Sequence, residues 1–157
     1  MGYYIRLIES TVFIPNENLE EAYQCMCRLN DSHDHLKTGG GWSEGKQIQR
    51  WFAWMNENYP EKCKDAVAVL EELGFEVDAT PEGILITEFD RKVGSEDLFF
   101  RAITHLIKDD TYITWLGEDG EKWAWVFLGG KMLIMTPMPP ATTALEFMPD
   151  FTQKELS

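Results

Sequence analysis

The feature that most constrains this chain is a series of three strand-like runs joined by glycine turns. Thr111–Leu116, Lys122–Leu128 and Met132–Thr136 are rich in aromatic and β-branched residues, and the turns between them contain Asp119-Gly120 and Gly129-Gly130. Such dipeptides supply the positive φ angles of tight hairpins, so the three runs are expected to pair antiparallel. Phe75 to Ala79 and Gly83 to Phe89 read as another hairpin around Thr80-Pro81-Glu82. Tyr3 to Ile14, broken by Glu9-Ser10 and stopped by Pro15, reads as one strand, bulged or bent into two.

Helical spacing fills the intervals. Asn18 and Glu21 form a capping-box pattern, and Leu19, Ala22, Tyr23, Met26 and Leu29 then predict a helix to about Asn30. Ile48, Trp51, Phe52 and Met55 stand at i, i+3, i+4 and i+7 and predict a short aromatic helix. Pro60 suits the first position of the next helix, whose apolar face is Cys63, Ala66, Val67, Leu70 and Leu73 and whose stop is Gly74. Ser95 is placed to cap a further helix with Glu96 and Asp97 in its first turn and Phe99, Ala102, Ile103, Leu106 and Ile107 on its buried face. Hairpins outnumber crossover units, so the expected class is α+β: a mostly antiparallel or mixed sheet of about five to six strands, with about three to four helices on one face. At 157 residues the chain is long enough for one self-standing core. Residues 1–136 are expected to form that domain, and 137–157, broken by Pro137, Pro139 and Pro140, a loosely held tail.

Charge narrows the function. The 14 Lys and Arg against 27 Asp and Glu leave net −13, and residues 61–120 alone hold 15 acids and 6 bases. A field of this sign repels phosphate backbones, which disfavours direct nucleic-acid binding and anionic membranes; it favours basic proteins and cations. Three cysteines (Cys25, Cys27, Cys63) and a start without a secretory core point to free thiols in a reducing cytoplasm. No apolar run approaches a membrane span.

Candidate chemistry is sparse. Cys25 and Cys27 with His33 and His35 are spaced almost like zinc ligands, but residues two apart on a helix point about 200° apart, so neither metal nor cofactor is expected. Residues 31–46 form the one clearly irregular stretch. It offers His33 and His35 as groups that titrate near neutrality, Lys37 as a cation, Gly39 and Gly40 for close backbone approach and Trp42 for stacking, with Arg50 just beyond. The glycines lack the ending of a phosphate-binding loop. Cys63 reads as core and His105 as a surface or boundary residue. Trp123, Trp125 and Phe127 alternate on a face expected to meet the core, with Trp115 on the neighbouring strand. A two-residue turn at Asp119-Gly120 would oppose Glu118 and Glu121 across strands. Either the loop is the longer Gly117–Gly120, or Glu118, Asp119 and Glu121 share a cation or a basic partner.

Met1-Gly2-Tyr3-Tyr4, Ile14-Pro15, Met26-Cys27-Arg28-Leu29-Asn30, His35-Leu36-Lys37-Thr38-Gly39-Gly40, Gly74-Phe75-Glu76-Val77 and Gly117-Glu118-Asp119-Gly120-Glu121-Lys122-Trp123 occur in that order. The set, spanning about residues 1–133, resembles small acidic proteins of unassigned function carried by bacteriophages and prophages. The resemblance implies an accessory protein of the bacterial cytoplasm and carries no catalytic residue with it. The expected function is therefore a non-enzymatic acidic binder that engages or inhibits a basic host protein, such as a nucleic-acid-handling or defence enzyme. The alternatives are a protein that binds or sequesters a small anionic molecule or nucleotide through residues 33–50, and an enzyme using His33 and His35 with Glu118 or Asp119.

Overall fold

Antiparallel pairing organises the chain, as seen in a computed structural model that describes residues 3–32, 39–43, 46–52 and 55–136. Strands β1 (Tyr4–Ser10) and β2 (Phe13–Pro15) come from one run that changes sheet part-way along. Hairpin β3 (Gly39–Ser43) and β4 (Lys46–Trp51) follows helix α1 (Leu19–Ser32). Helices α2 (Tyr59–Lys62) and α3 (Ala66–Leu73) lead into β5 (Glu76–Ala79), β6 (Gly83–Glu88) and β7 (Asp90–Lys92). Helix α4 (Glu96–Ala102) and a 3-10 turn at Thr104–Leu106 precede β8 (Thr111–Gly117), β9 (Lys122–Leu128) and β10 (Lys131–Met135).

The class is α+β, as the hairpin count predicts. One sheet runs β10-β9-β8-β1-β7, a second β2-β6-β5, and β3-β4 stands as a pair. Both bends fall opposite each other: β1 gives way to β2 where β7 follows β6. Bonds from Leu7 N to the Phe89 carbonyl (2.9 Å) and from Ile86 N to the Val12 carbonyl (3.1 Å) stitch the two ribbons through the break. A register slip between Leu7 and Glu9 is the bulge expected within residues 3–14.

The core lies between the larger sheet and the helices. Trp115 is fully buried, with ring centroids 4.9 Å from Trp125 and 5.5 Å from Phe89. Phe100 of α4 meets Phe75 (5.0 Å), Trp125 (5.6 Å) and Phe127 (6.0 Å). Such tilted and edge-on pairs add about 0.5–1.5 kcal/mol each beyond the area they bury. The Trp115 Nε1–H has no acceptor among the described residues. Ring packing must therefore outweigh a desolvation cost of about 1–3 kcal/mol there. The Trp123–Phe127 ladder faces this core as expected, with Trp125 and Phe127 buried and Trp123 packed at its margin.

Local structure departs from the sequence expectation in several places. Where the aromatic helix over 48–55 is expected, residues 48–51 belong instead to strand β4, which pairs with β3 and sets Gly40 opposite Arg50. Four apolar residues over two turns are too short a signal, and helices of that length gain little on their own. The irregular stretch 31–46 accordingly includes the last two residues of α1 and all of β3; residues 33–38 and 44–45 lie outside the described residues. The single helix expected after Pro60 is two, because the Asp65 carboxylate accepts the Ala68 N–H at 2.8 Å and starts α3 afresh. Asn18 does not close a local capping box: its Nδ2 donates to the Leu106 carbonyl (3.0 Å), while Glu21 reaches His105 Nε2 at 3.3 Å. Ser95 gives no side-chain cap to α4; the buried Glu96 carboxylate instead accepts the Gly94 N–H at 2.9 and 3.0 Å.

Gly74 ends α3 with φ 118°, and the Arg91 guanidinium donates to the last carbonyls of that helix, those of Glu72 (3.3 Å) and Leu73 (3.2 Å). A Cβ on Gly74 would come within 2.6 Å of Arg91 Cδ. Gly74→Ala is therefore expected to destabilise the chain by at least about 1 kcal/mol, because alanine at positive φ is strained and the Arg91 cap must shift. Urea denaturation checks this, and an unchanged midpoint would refute the strain argument.

Candidate functional site: an acidic corner of the sheet

Pairing of Leu116 with Lys122, a 2.8 Å bond from Gly117 N to the Glu121 carbonyl, and a 2.9 Å bond from Gly120 N to the Gly117 carbonyl define the β8–β9 turn. It is a three-residue loop, Glu118-Asp119-Gly120, with Gly120 at φ +88°. This corrects both lengths weighed from sequence. The left-handed glycine after a type I turn absorbs the extra residue and follows the strand twist. Glu121 then faces Gly117, and the feared Glu118–Glu121 opposition never arises.

The start of β1 fixes the loop acids. Glu118 N donates to the Tyr4 carbonyl, and Glu118 Oε1 accepts the Tyr4 N–H, both at 3.0 Å. The Tyr3 hydroxyl donates to Glu121 Oε1 and accepts the Asp119 N–H at 3.3 Å. The bond to Glu121, followed by loss of water, holds the Tyr3 phenol above its usual pKa. Two carboxylates are thus positioned by neutral donors, which order them without cancelling their charge. Beside them a shallow hollow is lined by Tyr4, Ile5, Arg6, Asp90, Leu116, Gly117 and Glu118, and Lys92 Nζ lies 5.7 Å from the Tyr4 ring centre.

Two further acidic features were not singled out in the sequence. Glu76 and Glu88 are opposed across β5 and β6. A hydrogen bond that the protonated Glu76 carboxyl donates to the Glu88 carboxylate, then the charge of Glu88, raises the Glu76 pKa, with loss of water and Asp78 adding to the effect. The hairpin around Pro81 predicted the pairing of β5 with β6, but a slip between Glu76 and Val77 is what brings these two side by side. A cleft of about 540 Å³ is lined by Thr11, Phe13, Glu82, Leu85, Lys108, Asp109, Asp110 and Thr111.

The other sequence candidates are placed unevenly. His33, His35 and Lys37 lie outside the described residues. Gly39, Gly40 and Trp42 stand in β3 and Arg50 in β4, where the backbone alone is described. Nothing described brings them to Glu118, Asp119 and Glu121. Cys63 is buried and bonded through Sγ to Glu72 Oε2 at 2.9 Å; burial first, and Glu72 second, push its thiol up to about 12. At neutral pH it is a protonated core residue, as its helical spacing predicts, and a poor nucleophile. His105 is half-exposed against Glu21. Among the described residues, no group of three or more His, Cys, Asp or Glu is arranged to hold a metal ion, and no helix is long and apolar enough to cross a membrane.

Comparison of the chain with protein-family models, curated proteins and solved structures finds no match.

Because the Glu76 pKa is raised in the folded chain, its contribution to stability is complete below the ordinary value near 4.5 and is lost as pH rises through the folded value. Glu88→Gln removes the repulsion. It is expected to raise the melting temperature at pH 7 and to leave it nearly unchanged at pH 4, as scanning calorimetry would show. An equal shift at both pH values would mean that charge is not the cause.

Proposed function

We propose that this chain is a non-enzymatic acidic binding protein that engages a basic protein surface, with the Glu118-Asp119-Glu121 corner as a principal contact. The observation that carries this reading is the anchoring of Glu118 and Glu121 on the Tyr4 N–H and the Tyr3 O–H. Charge held by neutral groups is ordered before a partner arrives, so less side-chain entropy is lost on binding. The remaining surplus of carboxylates steers approach: a field of this kind raises association rates about 10–10³-fold and suppresses acidic partners. The resemblance to phage-borne proteins supports a bacterial host protein as the target. A groove that normally takes nucleic acid fits the chemistry, since a rigid acidic corner can occupy sites meant for phosphates. The buried, protonated thiol at Cys63 supports a binder over a thiol enzyme.

Affinity capture from bacterial lysate at low and high salt tests this, with the unaltered chain beside the Glu118→Gln/Glu121→Gln double variant. A basic protein should be retained by the unaltered chain, released at about 1 M salt where screening acts within about 3 Å, and bound about tenfold more slowly by the variant. Circular dichroism should show both chains equally folded. Retention indifferent to salt and to the substitutions, or no basic protein retained at all, would overturn the reading.

A further inference from the structure

The smaller sheet turns apolar side chains outward where polar ones would be expected. Around β2 and along β6, Val12, Ile14, Ile84 and Ile86 are buried in the core. Phe13 and Leu85 are directly opposed between them, so both point to the other face, where they are half-buried. The Phe13 ring lies over Gly83, where an added Cβ would come within 2.6 Å of its Cζ. Together Phe13 and Leu85 floor the cleft of about 540 Å³, a size suited to a ligand or an inserted side chain.

The segment from Lys108 to Thr111 forms another wall of this groove and is fastened to both sheets. Lys108 N donates to the Phe13 carbonyl (2.8 Å) and Asp110 N to the Phe127 carbonyl (2.9 Å). Asp109 Oδ1 accepts the Gly129 N–H at 2.7 Å, and the Thr111 hydroxyl donates to the Lys108 carbonyl at 2.8 Å. Asp110 stands at φ 60°, a left-handed conformation that Asp and Asn tolerate better than most side chains. Across the floor, Glu82 is held by the bond from Asn16 N to its carbonyl (2.9 Å). The lining therefore sets three carboxylates, Glu82, Asp109 and Asp110, against the one ammonium of Lys108.

We propose that this groove takes an arginine side chain from an extended segment of a basic protein partner. The apolar floor under a carboxylate rim is what selects it. A hard metal ion prefers oxygen on every side, and a lysine ammonium is a compact, strongly hydrated charge. A guanidinium is planar and weakly hydrated, so it lies on the Phe13 ring and still offers its N–H fork to the rim carboxylates. Its methylene stem covers Leu85. Arginine seated in such a pocket is a common anchor of protein interfaces. The groove opens at the first residue of β8 and the acidic corner at the last, about 20 Å away by strand rise. The two surfaces are separate, and the groove's ligand does not depend on the role given to the corner.

Titration of the full chain with a Gly-Ser-flanked arginine peptide, followed by amide chemical shifts, is the test. Saturable shifts should centre on Phe13, Leu85 and residues 108–111. Replacing arginine by citrulline, which keeps the shape and loses the charge, should weaken binding at least about tenfold, and lysine should bind more weakly too. Asp109→Asn/Asp110→Asn keeps the Gly129 acceptor and the left-handed residue and should also weaken binding about tenfold. Glu118→Gln/Glu121→Gln should leave this affinity within about twofold, since distant sites act independently. If the groove variant fails to fold, the shifts of the unaltered chain with the three peptides still decide. Shifts spread over the whole acidic surface, equal binding of the citrulline or lysine peptide or of spermidine, or binding lost in the corner variant but kept in the groove variant would each overturn the proposal.

Discussion

Pairing of β1 with β8 is the interaction on which the rest depends. It joins the first residues of the chain to a strand more than a hundred positions later, placing Leu7 beside Trp115 and Ile5 beside Gly117. β1 thereby becomes an inner strand, with β7 on its other side. Closing so long a loop is entropically unfavourable until the aromatic core forms, so strand pairing and ring packing must arise together. The same pairing delivers Tyr3 and Tyr4 to the β8–β9 turn. The acidic corner is thus an outgrowth of the register that builds the core, and a slip of one residue would dismantle both.

Much of the architecture was legible because its signals are local. Asp119-Gly120, Gly129-Gly130 and Thr80-Pro81-Glu82 each mark a hairpin that exists, and Gly74 stops α3 at a left-handed residue. The signals failed where two periods fit the same residues. Ile48, Trp51, Phe52 and Met55 satisfy a helical spacing, but the first two belong to β4 and the last two to the core beyond it. Cap predictions failed for another reason. Asn18 and Glu21 were better used in tying α1 to the turn at 104–106, a contact between segments that sequence spacing does not encode.

The candidate site was half legible. Residue types at Glu118, Asp119 and Glu121 pointed to concentrated charge, and the sequence posed the right question about what holds it. The answer needed Tyr3, whose role follows only from the long-range register. Glu76 and Glu88 were invisible for a similar reason, since the bulge that brings them together cannot be read from either strand alone.

An acidic surface has a second use that competes with partner binding. Charged residues on sheet edges keep strands of different molecules from pairing, and Glu76 and Asp78 sit on β5, an edge of the smaller sheet, as Asp90 and Lys92 do on β7 of the larger. Edge protection accounts for those positions and for the repulsion tolerated at Glu76. It does not account for Glu118 and Glu121. Glu118 lies in a turn between two paired strands and Glu121 directly after it, where no free ladder is exposed, and their carboxylates are held by hydrogen bonds that a purely repulsive role would not require. A charge meant only to repel works as well on a mobile side chain. Fixing it in place matters when something must fit against it, and this separates the corner from the rest of the acidic surface.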